Sequence, residues 1–185
     1  MTMLPLAFKV QNKPVLVIGA GRIGTGKAQL LIEAGARVTV LSRALLAPLP
    51  DGVNSFEERD YRRGDLRGFS LVVAATGDAS VNDEIVNEAT ELGLWLNVVD
   101  DPARSDFYFT AVHRDGDVVV SVSTEGASPA LAQEVRALIR RYLPGHLGEV
   151  ARQLKRERAV LHESGESTEG VDWTPRIREL LARGE

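Results

Sequence analysis

Over the first hundred positions apolar residues come in short unbroken runs, separated by segments with helical spacing. Val15-Leu16-Val17-Ile18 is such a run, ended by glycine, and reads as a buried strand. Ile23, Ala28, Leu30, Leu31 and Ala34 then predict a helix over 25–34, with Gly35 ending it in a left-handed conformation. Arg37 to Leu41 is a second, β-branched strand. Strand, helix and strand in this order form a parallel βαβ unit, whose crossover is almost always right-handed. Positions 44–67 carry the weakest pattern, with a short third strand expected between Val53 and Glu57. Ser70 to Ala75 and Leu94 to Val99 are two further buried strands. The helix between them is expected to be capped by Ser80 or Asn82 and stopped by Gly93. This alternation predicts an α/β fold, a Rossmann-like open parallel sheet covered on both faces.

The pattern changes after Pro102. Phe107–His113 and Val118–Ser123 are strand-like and flank Arg114-Asp115-Gly116-Asp117, a hairpin signal. Ser128-Pro129 then supplies a cap followed by proline at the first helical position, for a helix to Tyr142. Pro144-Gly145 breaks it. Positions 147–164 and 172–183 are helical, joined by a polar loop at 163–170. Three regions are therefore expected: a nucleotide-binding domain over 1–106, a hairpin-plus-helix dimerisation region over 107–145, and a helical tail over 146–185. The middle region cannot bury its own apolar side chains, among them Val118, Val120, Val122, Leu131, Val135 and Leu138. A twofold copy of the same segment is the commonest solution, so a homodimer is expected.

Composition narrows the classes. The chain has 185 residues, with 22 basic and 26 acidic side chains and a formal charge of −4. It lacks the global basic footprint of a nucleic-acid binder. No apolar run approaches the ~20 residues of a membrane span. The N-terminus has no signal-peptide pattern, and a cytoplasmic location is expected. There is no cysteine and there are three histidines. Thiolate metal sites and a cysteine nucleophile are thereby excluded, and no metal site is expected.

Gly19-Ala20-Gly21-Arg22-Ile23-Gly24 fits Gly-x-Gly-x-x-Gly between a strand and a helix, the context this motif needs. Gly19 permits the tight turn, Gly21 the approach of a pyrophosphate, and Gly24 close helix–strand packing. The helix N–H groups then face the phosphates. The acidic residue expected about 20 positions on, for the ribose of NAD, is replaced by Leu41-Ser42-Arg43. Arg43 meeting a 2′-phosphate, and Ser42 bonding a ribose with Arg43 in solvent, are both compatible with these residues.

In open α/β sheets ligands lie beyond the carboxyl ends of the strands. That places Thr76 and Gly77 beside a cofactor and Asp100 near its nicotinamide end. A carboxylate there can take up a proton as a hydride leaves; a turn-capping role before Asp101-Pro102 fits the same residues. The segment from Ser123 to Pro129, including Thr124, Gly126 and Ser128, feeds a helix N-terminus able to face a carboxylate. Arg136, Arg140 and Arg141 share that helix, with Arg104 on a nearby loop. They form either a solvated face or a site for an anionic substrate.

Together these residues resemble the precorrin-2 dehydrogenase / sirohydrochlorin ferrochelatase family, the N-terminal module of siroheme synthase. The likeness runs from Leu4-Pro5-Leu6 to about Ala151. It rests on Val17–Gly21, Lys27, Leu31–Thr39, Ala74–Asp78 with Val81-Asn82, and Asn97–Asp100. Phe107–Ala111, Val122–Thr124, Ser128-Pro129 with Leu131-Ala132, and Leu143–Gly148 complete it. Gly26, Thr110 and the tail after Ala151 depart from the family pattern.

The resemblance implies oxidation of precorrin-2, a polycarboxylate tetrapyrrole, to sirohydrochlorin with NAD⁺. Asp100 matches the essential aspartate. Arg22, Ile23, Arg43 and Ala44 match cofactor contacts, with Thr76 and Val98 bordering them. Some members also insert Fe²⁺. A homodimer is implied as well. A non-catalytic NAD(H)-sensing module is the competing class, and it would need no base at the nicotinamide end.

Overall fold

The computed structural model describes residues 3–183, and the chain divides into two compact units, 1–108 and 109–185. In the first unit β1 (Pro14–Ala20) is followed by α1 (Arg22–Glu33), β2 (Arg37–Leu45), β3 (Ser55–Glu58), β4 (Leu71–Ala74), α2 (Ala79–Leu92) and β5 (Trp95–Val98). All five strands are parallel, in the order β3-β2-β1-β4-β5. This is the Rossmann order, and the strand order reverses between β1 and β4. Val15 to Ile18 and Leu71 to Ala74 are buried on both faces, which is why they read as unbroken apolar runs. Leu16, Ile18, Leu41, Leu66, Val72, Ile85, Ala89, Leu96 and Val98 join in one core cluster.

Three local expectations are corrected. The cap of α2 is Asp78, not Ser80 or Asn82; its carboxylate accepts the N–H groups of Ser80 and Val81. Gly93 ends that helix at φ 63° as expected. β2 continues past Leu41 to Leu45, because Ser42 pairs with Glu58 of β3 and Leu45 with Ala20 of β1. Ser42, Arg43 and Ala44 are thus strand residues, held by tertiary pairing that their own propensities do not signal. The hairpin ladder begins at Ala111, not Phe107. Phe107 instead runs beside β5, where its carbonyl accepts the Asn97 side-chain amide at 2.9 Å.

A buried carboxylate fixes the loop after β3. Glu88 of α2, 3% exposed, accepts Tyr61 Oη–H at 2.5 Å and the N–H groups of Gly64 and Leu66 at 2.8 and 3.2 Å. Burial first, then this bond to Glu88, push the Tyr61 phenol well above its usual range. Arg59 clamps the same loop, donating to Glu57, to Asp65 and to the carbonyl of Asp60.

In the second unit β6 (Ala111–Asp115) and β7 (Val118–Val122) form an antiparallel hairpin across Gly116-Asp117. Gly116 opens the two-residue loop at φ 55°, a position that favours glycine. α3 (Pro129–Tyr142) packs on both strands. α4 (Leu147–Glu163) and α5 (Thr174–Ala182) are tied by Glu157 and Arg176, with Nη2–Oε1 at 2.5 Å. No helix among the described residues is long and apolar enough to cross a membrane.

Candidate functional site

The glycine loop lies at the carboxyl end of β1, where the strand order reverses. Gly19 stands at φ 109°, and a Cβ there would come within 2.3 Å of the Ala75 carbonyl oxygen. A Cβ at Gly24 would meet the Gly19 carbonyl oxygen at 2.0 Å. Both glycines are therefore required by packing between β1, β4 and α1. Gly21 differs: its backbone is ordinary, and nothing lies within 4 Å of a Cβ built on it. The space in front of Gly21 is open, as a pyrophosphate cradle requires.

Helix capping agrees with this. α2 is capped by the Asp78 carboxylate and α3 by Ser128 Oγ, which accepts the Leu131 N–H at 3.2 Å. α1 has Gly21 as its cap residue and no side-chain cap bond, which α4 and α5 also lack; α1 alone of these three begins at the end of a sheet strand. The first-turn amides of α1, carried by Arg22 and Ile23, are thus placed to meet an anion. Ile23 presents an exposed apolar side chain beside them. These residues fit the diphosphate of a dinucleotide.

On one side of the loop lies the end of β2. Ser42 Oγ–H donates to the Ala44 carbonyl at 2.9 Å. Arg43 is exposed and pairs with Asp60, Nε to Oδ1 at 3.6 Å. On the other side, beyond β4, Thr76 Oγ1 lies 2.6 Å from Asn82 Oδ1 and accepts the Asp78 N–H at 3.3 Å. Gly77 next to it faces open space. Val98 is a core side chain whose N–H donates to Ser105 Oγ.

Asp100 lies two residues past β5, exposed, at φ 61°. Aspartate is one of the few non-glycine residues that enter this left-handed region readily. Asp101 has a structural role of its own. Its carboxylate caps the 3-10 turn Pro102–Arg104 and accepts Arg104 Nε–H at 2.6 Å. Arg104 also pairs with Asp83. The two adjacent carboxylates therefore have different partners, and Arg104 is held between Asp83 and Asp101.

Lys27 is a neighbour the residue pattern did not single out as functional. It lies on α1 one turn past Gly24, half-buried. Burial lowers its ammonium pKa, and the Asp100 carboxylate acts in the opposite direction. The signal for it in the sequence is its place beside the Gly24–Ala28–Leu31 stripe, the buried side of the helix.

In the second unit, Thr124 Oγ1–H donates to the Ser128 carbonyl at 3.0 Å and accepts the Ser128 N–H at 3.1 Å. Glu125 and Gly126 both take left-handed conformations, at φ 51° and 85°. The loop is closed by its own bonds. Arg136, Arg140 and Arg141 line a shallow depression on α3, with Arg136 Nε–H bonded to Gln133 at 3.0 Å. Among the described residues no group of three or more His, Asp or Glu side chains is arranged to hold a metal ion.

Comparison with known proteins agrees with this layout. Residues 6–111 match the family model described as "NAD(P)-binding", and residues 115–142 match that of the sirohaem biosynthesis protein central region. Siroheme synthase 1 of Aeromonas salmonicida (strain A449) is 36% identical over the whole of this chain, which covers 42% of that protein. A siroheme synthase of Ectopseudomonas mendocina (strain ymp) is 40% identical over 85% of this chain and 35% of its own length. The chain thus spans about two fifths or less of these relatives. The solved structure of SirC, precorrin-2 dehydrogenase, superposes with a TM-score of 0.69 at 21% identity, over 98% of this chain and 88% of that one. This last likeness concerns the fold.

Proposed function

The chain belongs to the NAD(P)-binding family matched over residues 6–111, and on that premise we propose that it oxidises precorrin-2 to sirohydrochlorin with NAD⁺. The observation that carries the reading is the conjunction of Gly21 with Asp100. An open, uncapped helix N-terminus lies where the strand order reverses, and an exposed carboxylate follows β5. The likeness to siroheme synthases supports the substrate class.

When bound, the cofactor supplies a hydride acceptor. Gly21 and the amides of Arg22 and Ile23 would hold its diphosphate, with Thr76, Gly77 and Val98 bordering the site. The oxidation removes one hydride and one proton from the substrate. Asp100 takes the proton, and its ionised form is the reactive one. Asp101 is unsuited to the same role because Arg104 holds it.

Precorrin-2 carries many carboxylates. Arg136, Arg140 and Arg141 offer a cationic surface of matching chemistry, whereas the amides of Glu125, Ala127 and Ser128 are taken up by Ser123 and Thr124. Arg104 contributes through its hold on Asp101. Exposed apolar side chains of the second unit support a homodimer: of the expected set Leu131 and Leu138 are exposed, joined by Val112, Val119 and Tyr142, whereas Val118, Val120, Val122 and Val135 are half-buried, the hairpin face and α3 partly covering one another. The cytoplasm, where NAD⁺ is available, is the compartment this reading implies.

The test is incubation of the purified chain with NAD⁺ and precorrin-2, following the tetrapyrrole chromophore and NADH together. Equal, stoichiometric appearance of sirohydrochlorin and NADH is expected. Binding of NAD⁺ without any change in the tetrapyrrole would favour a sensing module instead.

A further inference from the structure

The residue pattern leaves the ribose end of the site without an acidic group: Arg43 stands where NAD-binding folds usually carry a carboxylate. The structure supplies one from the segment that follows the neighbouring strand, β3. β3 pairs in register with the end of β2, Ser42 opposite Glu58, so the residues just past Glu58 arrive beside Arg43. Asp60 is there, with Oδ1 3.6 Å from Arg43 Nε.

Asp60 is held in place from behind. Arg59 Nη1–H donates to its carbonyl at 3.0 Å, while the same guanidinium grips Glu57 and Asp65. Tyr61 beside it is bonded to the buried Glu88. An isolated exposed ion pair contributes little to stability, and these two side chains are 69% and 74% exposed. The clamp on the backbone therefore positions a charge rather than a stabilising bridge.

A second carboxylate acts on the same arginine. Asp78, the cap of α2, is held below the usual carboxylate range first by the Ser80 hydroxyl, then by backbone amides, with the Arg43 charge adding to them. Arg43 thus stands in the field of two acids. A 2′-phosphate, carrying nearly two negative charges at neutral pH, would meet a guanidinium already compensated, and a carboxylate beside it.

We infer that Asp60, through its pairing with Arg43, is the specificity-determining residue that turns the ribose end of this site toward NAD⁺ and against NADP⁺. The inference rests on the dinucleotide reading of the glycine loop given above. It explains how a site with arginine in place of the usual acid avoids becoming an NADP⁺ site.

The test needs no turnover. Dissociation constants for NAD⁺, NADP⁺, 5′-AMP and adenosine 2′,5′-bisphosphate are measured by titration calorimetry. The parent chain, Asp60→Asn, and Asp60→Asn combined with Arg43→Ala are compared. Asp60→Asn keeps the carbonyl that Arg59 holds, and circular dichroism checks its fold. The parent should favour NAD⁺. Asp60→Asn should shift the NAD⁺/NADP⁺ affinity ratio about tenfold toward NADP⁺, with the same shift between the two adenosine phosphates. Adding Arg43→Ala should cancel it. An unmoved ratio in Asp60→Asn, with the parent still favouring NAD⁺, would overturn the inference and leave the NAD⁺ reading standing. A parent that favours NADP⁺ would overturn both. A parent that binds none of the four ligands would remove the dinucleotide reading and the inference with it.

Discussion

Arg104 Nε–H reaches the Asp101 carboxylate at 2.6 Å, and this bond separates the roles of two adjacent aspartates. Asp101 is drawn back to cap the turn that follows it. Asp100, exposed and left-handed, is left beyond the end of β5 with the Lys27 ammonium in its field. One carboxylate serves the fold and the other is available for chemistry.

The last two glycines of the loop should respond differently to one methyl group. Gly24→Ala places a Cβ 2.0 Å from a backbone oxygen that cannot move aside. We expect a loss of about 3 kcal/mol or more, as for a strongly overpacked core, visible as a lowered denaturation midpoint. Gly21→Ala meets no protein atom and should leave that midpoint nearly unchanged. It should weaken NAD⁺ binding at least tenfold, because the methyl occupies the diphosphate space. Calorimetric titration beside urea denaturation separates the two outcomes.

Glu88 fixes the loop that carries Asp60, and its removal should be costly. Glu88→Ala leaves the Gly64 and Leu66 N–H groups and the Tyr61 hydroxyl without their acceptor. Each unsatisfied buried donor costs about 1–3 kcal/mol, so a loss of about 3 kcal/mol or more is expected in urea denaturation. Glu88→Gln keeps an acceptor oxygen and should lose less.

The α4–α5 junction should be acid-sensitive. Arg176 foremost, then Gln153, holds the Glu157 carboxyl down to about 2. A depressed carboxyl contributes stability that is present above its unfolded pKa, about 4.3. That stability is lost as pH falls toward 2. Trp173, at the start of α5, reports on it in a Trp95→Phe background. Its emission should change between pH 4.5 and 2, and Arg176→Gln should move that change toward higher pH.

A homodimer is expected from the apolar exposure of the hairpin and α3, where Tyr142 is 87% exposed. Light scattering at micromolar concentration should give twice the chain mass. Leu131→Glu with Leu138→Glu should return it to the monomer.

Much of the first unit is written in short runs of sequence. Val15–Ile18 is unbroken because both faces of β1 are covered, and Gly19-x-Gly21-x-x-Gly24 marks the turn that follows. The boundaries of α3, with Ser128 before Pro129, are equally local. What depends on pairing between distant segments is not legible in this way. β2 extends over Ser42-Arg43-Ala44 only because β1 and β3 flank it. Asp60 meets Arg43 through strand register, with no sequence motif linking them. Ser80 and Asn82 are good caps by residue type, but Asp78, which the sequence reading passes over, is equally good, and the backbone turns into α2 at Asp78. Asp100 can be placed from the order of strands, but its neighbours in sequence reveal neither its left-handed conformation nor the Lys27 charge.

Whether Asp100 accepts the substrate proton is decided by Asp100→Asn. Asparagine tolerates the same left-handed backbone and keeps the side-chain shape while removing its basicity. The variant should fold and bind NAD⁺ like the parent, yet lose kcat by about 10²–10⁴-fold with precorrin-2, the range for a missing general base. Asp101→Asn, measured beside it, should retain most of the rate. An Asp100→Asn enzyme that turns over near the parent rate would contradict the account and reduce Asp100 to a turn residue.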